Sequence, residues 1–538
     1  MLSRTSCRCP SPKALLPSGV LSSVYKRYLP WVCLALAALA CVRLQPDSTV
    51  VITATFQGST PGIVQSQVPA PIPLPQGTLI VPTPNPTRNL GAASGAGEYV
   101  VQPGDSLSGI AAQAGVSLET LLALNNLVDP NIIEVGQVIL LPAPPDEFTS
   151  ALKLLPDSRL VRAPGSSSFD VFAFVASQPG YIRVATDIDK EATYTGAQIV
   201  QRVALEYSVD PRLLLALLEF KSQWLTNANP SEQAKTYPMG AAASPLGFDR
   251  NGLYRQLTWA ADQLNLGYYG WKVRGLQLLE FEDGTRLQFA PDLNAGTVGL
   301  QYMLAQFTSY AAWQQQVSAS GFLQTYVGLF GDPFAGAVDP LVPGDITQPT
   351  LTFPFPSGET WYFTGGPHGG WGSGSAWAAI DFAPPDDITK VSSACYQSAF
   401  YATAVASGVV ARTDEGTVIL DLDGDGDEST GWTILYLHMA AQDRIPAGTA
   451  VSVGDRIGHP SCEGGFSTGT HMHIARRYNG EWIPVSCDAC ADPRPAFDLN
   501  GWTVVGYTNQ EYQGYMFRGS DRRVADQGRT NTENQVAW

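Results

Sequence analysis

Basic side chains are scarce in this chain, and histidine is almost absent. Lysine and arginine total 32 against 48 aspartates and glutamates in 538 residues, a formal net charge of −16. That imbalance excludes nucleic acid and anionic lipid head groups as partners held by charge. A neutral or sugar-rich partner fits better. No uninterrupted apolar run reaches the roughly 20 residues that a membrane-crossing helix needs. Apolar residues still make up 44% of the chain and aromatics 10%, enough to bury real cores. The length suggests three or four units of about 100–200 residues each.

What is scarce is also localised. The five histidines, His368, His438, His459, His471 and His473, all lie within about a fifth of the chain. Histidine is the commonest metal ligand and the side chain suited to proton transfer near neutral pH. In His471-Met472-His473 the two imidazoles stand at i and i+2, so on a strand they face one side. One can hold a metal while the other handles protons.

Eight cysteines divide evenly. Cys7, Cys9, Cys33 and Cys41 fall near the N-terminus, and Cys395, Cys462, Cys487 and Cys490 near the C-terminus. The second four read as two disulfides, with three pairings open. The alternative, a zinc site built on Cys487 and Cys490, lacks a second ligand pair at the usual spacing.

Residues 1–45 have the build of a secretory signal or anchor: Lys13, Lys26 and Arg27, the apolar run Tyr28–Val42, then Arg43. Ala38-Leu39-Ala40 suits signal peptidase and also resembles a weak lipobox with Cys41 as the lipidated residue. Lipoprotein, uncleaved anchor and free secretion all stay open, and membrane contact is expected only through this segment. Residues 46–96 form a Pro-, Gly-, Ser- and Thr-rich spacer, semi-extended at Val68–Pro75. Export to a bacterial envelope or the extracellular space is the expectation.

Residues 97–143 read as one small module. A strand at Tyr99-Val100-Val101 leads through a turn to Ser106, a helix cap before Leu107 and Ile110. A second helix follows from Ser117 to Leu124, and a strand runs from Val138 to Pro142. The opening from Tyr99 to Ala111, the Leu124-Asn125-Asn126-Leu127 centre and the close from Val135 to Pro142 resemble the LysM domain. The resemblance implies a βααβ fold that binds N-acetylglucosamine-containing glycans such as peptidoglycan.

Residues 144–194 read as a connecting segment, and helical periods dominate 195–335. Ile199, Val203, Leu205 and Leu213–Leu218 read as buried helix positions, the second helix starting at Asp210-Pro211. Glu206–Leu217 and Leu293–Tyr302 resemble motifs of lysozyme-like lytic transglycosylases. In that family a Glu-Ser pair follows the first motif, and its Glu is the general acid. The matching pair here is Lys221-Ser222. A protonated lysine is a poor general acid, and its charge opposes an oxocarbenium-like transition state. Glu219, two residues earlier, points about 200° away on a helix. This domain reads as a non-catalytic, glycan-binding or spacing relative of that fold.

Beyond a Pro/Gly-rich boundary near 331–356 the pattern turns to short β runs. Metal-assisted hydrolysis needs three protein ligands, an open position for water and a base beside it. Gly365–Gly370 with His368, Trp377–Pro384 with Asp381, Tyr436-Leu437-His438 and the 471/473 pair together resemble the lysostaphin/LytM-type zinc endopeptidases, in particular the β-lytic, LasA-like branch, over 350–519. The resemblance implies one Zn²⁺ on His368, Asp381 and His473, with His438 and His471 as the catalytic pair. Most of that family places its first histidine four residues before the aspartate, where this chain has Trp377; the β-lytic branch uses the longer Gly-rich spacing that His368 satisfies. His459 matches no role and reads as structural, and 520–538 reads as a tail. Asp421, Asp423, Asp425 and Asp427 resemble the start of an EF-hand loop, but position 12 is Trp432 rather than glutamate. An acidic solvated turn is the reading, with bound Ca²⁺ as the alternative.

The expected architecture is multidomain α+β: a LysM module, an α-helical lysozyme-like domain and a mostly antiparallel-β peptidase domain. The expected activity is cleavage of peptidoglycan peptide cross-links, targeted to glycan by LysM. The rival is a non-catalytic peptidoglycan-binding or hydrolase-activating protein, which predicts missing ligands where all five functional positions are filled.

Overall fold

The computed structural model describes residues 97–538 apart from 102–104, 115, 117, 143–144, 190–191, 243–247, 488–489, 491–493, 508–509 and 530. The expected signal or anchor, Cys41 and the spacer lie outside the described residues. No described helix is long and apolar enough to cross a membrane.

The N-terminal module has the expected βααβ order: β1 (Glu98–Val100), α1 (Leu107–Ala114), α2 (Leu118–Asn125) and β2 (Val138–Leu140), with the two strands antiparallel. Ser106 caps α1 by accepting the Gly109 amide at 3.1 Å. Asn125 ties α2 to β2: its amide donates to the Leu121 and Leu140 carbonyls, and its carbonyl accepts the Leu140 amide at 2.7 Å. Asn125→Ala is expected to lower the stability of this module by about 2 kcal/mol, read from its denaturant midpoint.

Next come α3 (Val171–Ser177), the hairpin β3 (Thr186–Asp189) and β4 (Ala192–Thr195), α4 (Gly196–Tyr207), α5 (Pro211–Ser222) and α6 (Glu232–Thr236). The series continues with α7 (Leu253–Lys272), the hairpin β5 (Leu278–Glu280) and β6 (Arg286–Gln288), α8 (Ala295–Ala305), α9 (Tyr310–Gln316) and α10 (Phe322–Phe330). Local signals set the starts: Thr195 and Gln198 form a capping box on α4, and Asp210 caps α5 ahead of Pro211. Ile199, Val203 and Leu213–Leu218 are buried as expected, whereas Leu205 is half-buried. α7 and α8 cross at glycine. A Cβ on Gly267 would come within 2.6 Å of Tyr302 Cβ and 2.8 Å of Gly299 Cα. The Gly299 of the Leu293–Tyr302 motif is therefore a packing residue.

The segment expected to be a connector is not one. Leu154, Leu155, Leu160 and Val161 are fully buried in the helical core, so 144–194 belongs largely to the helical domain.

The C-terminal domain holds β7 (Thr360–His368), β8 (Ala379–Ala383), β9 (Ala402–Thr403), β10 (Gly408–Asp414), β11 (Thr417–Asp421), β12 (Trp432–Leu437), β13 (Ala450–Val451) and β14 (Arg456–Gly458). They are followed by β15 (Met472–Tyr478), β16 (Glu481–Trp482), β17 (Asp498–Leu499), β18 (Trp502–Gly506), β19 (Gly514–Arg518), β20 (Asp521–Val524) and β21 (Gln535–Ala537). The main sheet runs β13-β10-β11-β12-β15-β8-β7-β21, with every pair antiparallel and β16 beside β15. The residues expected to be a tail correct that expectation: β21 closes the sheet edge on β7, and β20 extends the sheet β17-β18-β19.

Alternation decides what each face meets. Ile434, Tyr436, Met472, Ile474, Ile380 and Phe382 pack in one core with Phe353, Phe355 and Trp361. Leu435, Leu437, Ala475 and Ala379 point the other way and share a core with the helical domain. Asp381 and His473 have this second parity. The side chains of interest therefore stand on the face that the helical domain partly covers.

Candidate metal centre

Four neighbouring strands carry the site. His473 of β15 lies opposite Asp381 of β8 on one side and Leu437 of β12 on the other. His368 ends β7, paired with Ala379 of β8, and His438 follows β12 with φ +67°. That left-handed backbone is uncommon for a non-glycine residue and turns the imidazole from the strand into the cleft. His471 directly precedes β15, bridged to Ser461.

The sheet brings three ligand atoms together. His368 Nε2 lies 2.9 Å from His473 Nδ1, and Asp381 Oδ1 lies 3.2 Å from the first and 3.3 Å from the second. Ligands about 2.1 Å from a tetrahedral ion stand roughly 3.4 Å apart, so this triangle fits one face of such a site. Hydrogen bonding fixes which ring nitrogens face inward. His368 Nδ1 donates to the Gly366 carbonyl at 2.8 Å, and His473 Nε2 donates to that of Gly370 at 3.0 Å. A neutral imidazole has one N–H, so both inward nitrogens present lone pairs. Asp381 Oδ1 is buried and has no hydrogen-bond donor. Three acceptors converging without a proton need a cation, and His368, Asp381 and His473 are a group that could hold one.

The other two histidines border the same point. His471 Nδ1 donates to the Gly469 carbonyl at 2.7 Å, which leaves Nε2 3.7 Å from Asp381 Oδ1. His438 Nδ1 donates to the Glu463 carbonyl at 2.9 Å, and its ring lies 4.6 Å from that of His471. Burial, with His471 and His473 close by, pushes the His438 pKa down to about 3, so it is neutral throughout the physiological range. His459 stands apart, with Nδ1 on the Phe400 carbonyl and its ring on Tyr401.

The site opens into a cleft of about 1450 Å³ whose far wall, including Arg202, Glu206 and Tyr254, belongs to the helical domain. The residues between His368 and Asp381 are shaped by that domain. Asp262 of α7 accepts from Ser373 Oγ at 2.9 Å and from the Gly374 amide at 3.0 Å. A Cβ on Gly374 would lie 2.6 Å from the Asp262 carbonyl oxygen, and one on Gly372 would lie 2.8 Å from Tyr207. Only a glycine-rich loop lets helix and loop approach this closely. The same loop carries the Gly370 carbonyl that orients His473. Asp262→Ala is therefore expected to weaken metal binding about tenfold, read by competition with a chelator.

On the other side of the cleft lies the disulfide Cys395–Cys462, one of two among the described residues, the other being Cys487–Cys490. The first braces the approach to His471: the Thr470 amide donates to Ala394, and Thr470 Oγ1 donates to the Tyr396 carbonyl. Arg529, beyond β20, bonds the Thr470 carbonyl and the Tyr396 hydroxyl. Tyr512 stacks on His368, with centroids 4.3 Å apart. Sequence reasoning missed Asp262, Tyr512 and Arg529; the glycine run at 369–374 was the one available hint of close packing.

The acidic run comes together only in part. Asp421, Asp423 and Asp425 offer oxygens within 4.8 Å of one another, whereas Asp427 instead accepts from Ser429 and Ser167. Nothing else points to an ion there. In the helical domain, Lys221 Nζ bonds Gln316, and burial pulls its pKa down to about 8. Glu219 accepts from the Leu225 and Thr226 amides, an end-capping role.

Residues 153–342 match the family described as LasA, N-terminal domain, and residues 99–142 match the LysM domain. The chain is LasA-like and carries a LysM domain. Protease LasA of Pseudomonas aeruginosa is 27% identical over 295 residues, 52% of this chain and 65% of that protein. The chain thus spans somewhat less than two thirds of this relative. N-acetylmuramoyl-L-alanine amidase XlyB of Bacillus subtilis is 51% identical over 55 residues, 10% of this chain and 17% of the amidase. Among solved structures, the M23 metalloprotease pseudoalterin aligns with 33% of this chain and 96% of its own, at 23% identity and TM-score 0.25. The catalytic domain of lysostaphin from Staphylococcus simulans aligns with 23% of this chain and 88% of its own, at 20% identity and TM-score 0.17.

Proposed function

We propose that this chain is an exported zinc-dependent endopeptidase that cuts peptide cross-links of peptidoglycan and is held to the glycan by its LysM module. The observation that carries the reading is the convergence of His368, Asp381 and His473, with His438 and His471 on the open side. Two imidazoles and one carboxylate leaving a fourth position free are a donor set suited to catalytic zinc. A bound zinc ion supplies Lewis acidity and makes an attacking water available near neutral pH. The chain's own residues do the rest. His438, with its Nδ1–H committed to the Glu463 carbonyl, would offer Nε2 as the base for a proton of that water. His471, pinned through its Nδ1–H on Gly469, faces the open side with Nε2, and in its doubly protonated form it would donate Nε2–H to the oxygen that gains charge as the peptide carbonyl is attacked. Gly366 and Gly370 hold the two ligand imidazoles in their working tautomers.

A protease name on one relative, muramoyl-alanine amidase names on others and the LysM match support peptidoglycan as the material acted upon. The LysM module raises the local concentration of substrate for a catalytic domain in the same chain. The helical domain is read as non-catalytic: Lys221 stands where a lysozyme-like enzyme needs its acid, and Glu219 is spent on backbone amides.

The test is product analysis. Purified peptidoglycan incubated with the full chain is expected to release new amino termini, abolished by a zinc chelator and restored by zinc. Reducing or anhydro sugar ends in their place would make the helical domain the enzyme. No new ends of either kind would leave a non-catalytic glycan-binding protein.

A further inference from the structure

A second groove, of about 510 Å³, leaves the metal cleft over Gly372 and Ser373 and runs onto the helical domain; Tyr207, Gly372 and Ser373 line both hollows. Its floor is one face of α7. Arg255, Thr258, Trp259 and Asp262 recur at i, i+3, i+4 and i+7, so their side chains share one side of the helix. Asp262 at the near end is the residue bonded to the loop between the metal ligands. Farther along, the half-buried Trp259 stacks on Phe307, with centroids 5.7 Å apart, and Phe248 is 67% exposed. The Trp259 indole N–H shows no hydrogen bond among the described residues and lines the open groove, where a ligand hydroxyl can accept from it.

The lining selects among ligands. A lipid chain or an apolar peptide would take water from Arg255, which donates to the Asp249 carbonyl, and from Asp249, which accepts from Tyr237 and Asn251, and would offer neither charge a new partner. A polyanion meets a chain of net charge −16. A pyranose suits both halves of the groove: its C–H faces pack on aromatic rings, and its hydroxyl rim meets the indole N–H, guanidinium and carboxylate. We propose that this groove is a saccharide subsite for the glycan strand that bears the peptide being cut. The inference rests on the endopeptidase reading and deepens it: the substrate is a peptide still attached to its sugar, lying across Ser373 with its sugar on Trp259. It gives the helical domain a part in recognition alongside its structural one.

The full chain labelled with 5-fluorotryptophan tests the groove without any need for activity. Trp259→Phe identifies the Trp259 fluorine resonance, and the LysM module contains no tryptophan to confuse it. Titration with an N-acetylglucosamine tetramer is expected to shift that resonance saturably; a resonance unmoved at about 10 mM, ten times a millimolar Kd, overturns the proposal. In a second arm, Trp259→Ala is expected to lower kcat/KM on glycan-linked peptide relative to the same sugar-free peptide by about fivefold. A ratio equal to that of the wild type would also overturn it. A wild-type chain that cuts neither substrate would instead remove the endopeptidase reading, and the titration would still decide the groove.

Discussion

Alanine at position 473 is expected to leave the protein folded, without its metal and at least about 10³-fold less active, a loss of roughly 4 kcal/mol of transition-state stabilisation. The size follows from the geometry. In the proposed centre His473 would supply one of three ligand atoms, and its removal would leave Asp381 and His368 as a two-point site with one coordinate bond fewer. Alanine suits the position structurally, because the β15 backbone is paired on both sides, with β12 and with β8. Metal content per chain and release of amino termini should therefore fall together while the thermal transition survives. His459→Ala is the matched control: it removes a buried imidazole that bonds Phe400, lies 3.8 Å from the Asp443 carboxylate and packs on Tyr401, and metal content should stay at the wild-type level. Metal retained in full by the His473 variant would show that the ion, if any, sits elsewhere.

Of the five positions proposed for this site, the 471/473 pair stood out in the sequence for physical reasons, whereas the roles given to His368, Asp381 and His438 came from the resemblance to LytM-type peptidases. Histidine is too rare here to be incidental, and the i, i+2 spacing of 471 and 473 already places both rings on one face. The modules with strong local signals were legible too, since Ser106, Thr195 and Asp210 cap helices through contacts only two or three residues long. What stayed hidden was long-range. Asp262 touches Ser373 across 111 residues, Tyr194 donates to Glu415 across 221, and Arg529 reaches Tyr396 across 133. None of these has a periodicity or motif of its own. The residues from 144 to 194 read as a connector because their apolar positions lack helical spacing, yet Leu154, Leu155 and Leu160 are buried against helices supplied by later sequence. The last strand was missed likewise: Gln535–Ala537 is short, and only its pairing with Thr360–Tyr362 makes it a sheet edge.

The other large expected effect concerns Glu428, which joins the helical domain to the sheet and has no part in the chemistry. Its buried carboxylate meets three guanidiniums: Arg412 of β10 at 2.9 Å, Arg477 of β15 at 2.9 Å, and Arg162 of the helical domain at 3.8 Å. Removing one partner from a buried ion cluster costs about 3–5 kcal/mol, because the charges left behind stay desolvated. Here the remainder is three cations, so Glu428→Ala should lower the melting temperature by about 5 °C or more. Glu428→Gln keeps the shape but not the charge and should lose most of the same stability. The effect has a pH signature. Burial works against charge on Glu428, but Arg412, Arg477 and Arg162 outweigh it and hold its carboxyl far below the usual value. A carboxylate with a depressed folded-state pKa contributes its full stabilisation above the unfolded value, near 4.3, and loses it as pH falls toward the folded one. The stability difference between wild type and Glu428→Gln should therefore be flat from neutrality to about pH 5 and shrink only in stronger acid. A difference that already shrank between pH 7 and 6 would assign the cluster's stability to some group other than this carboxylate.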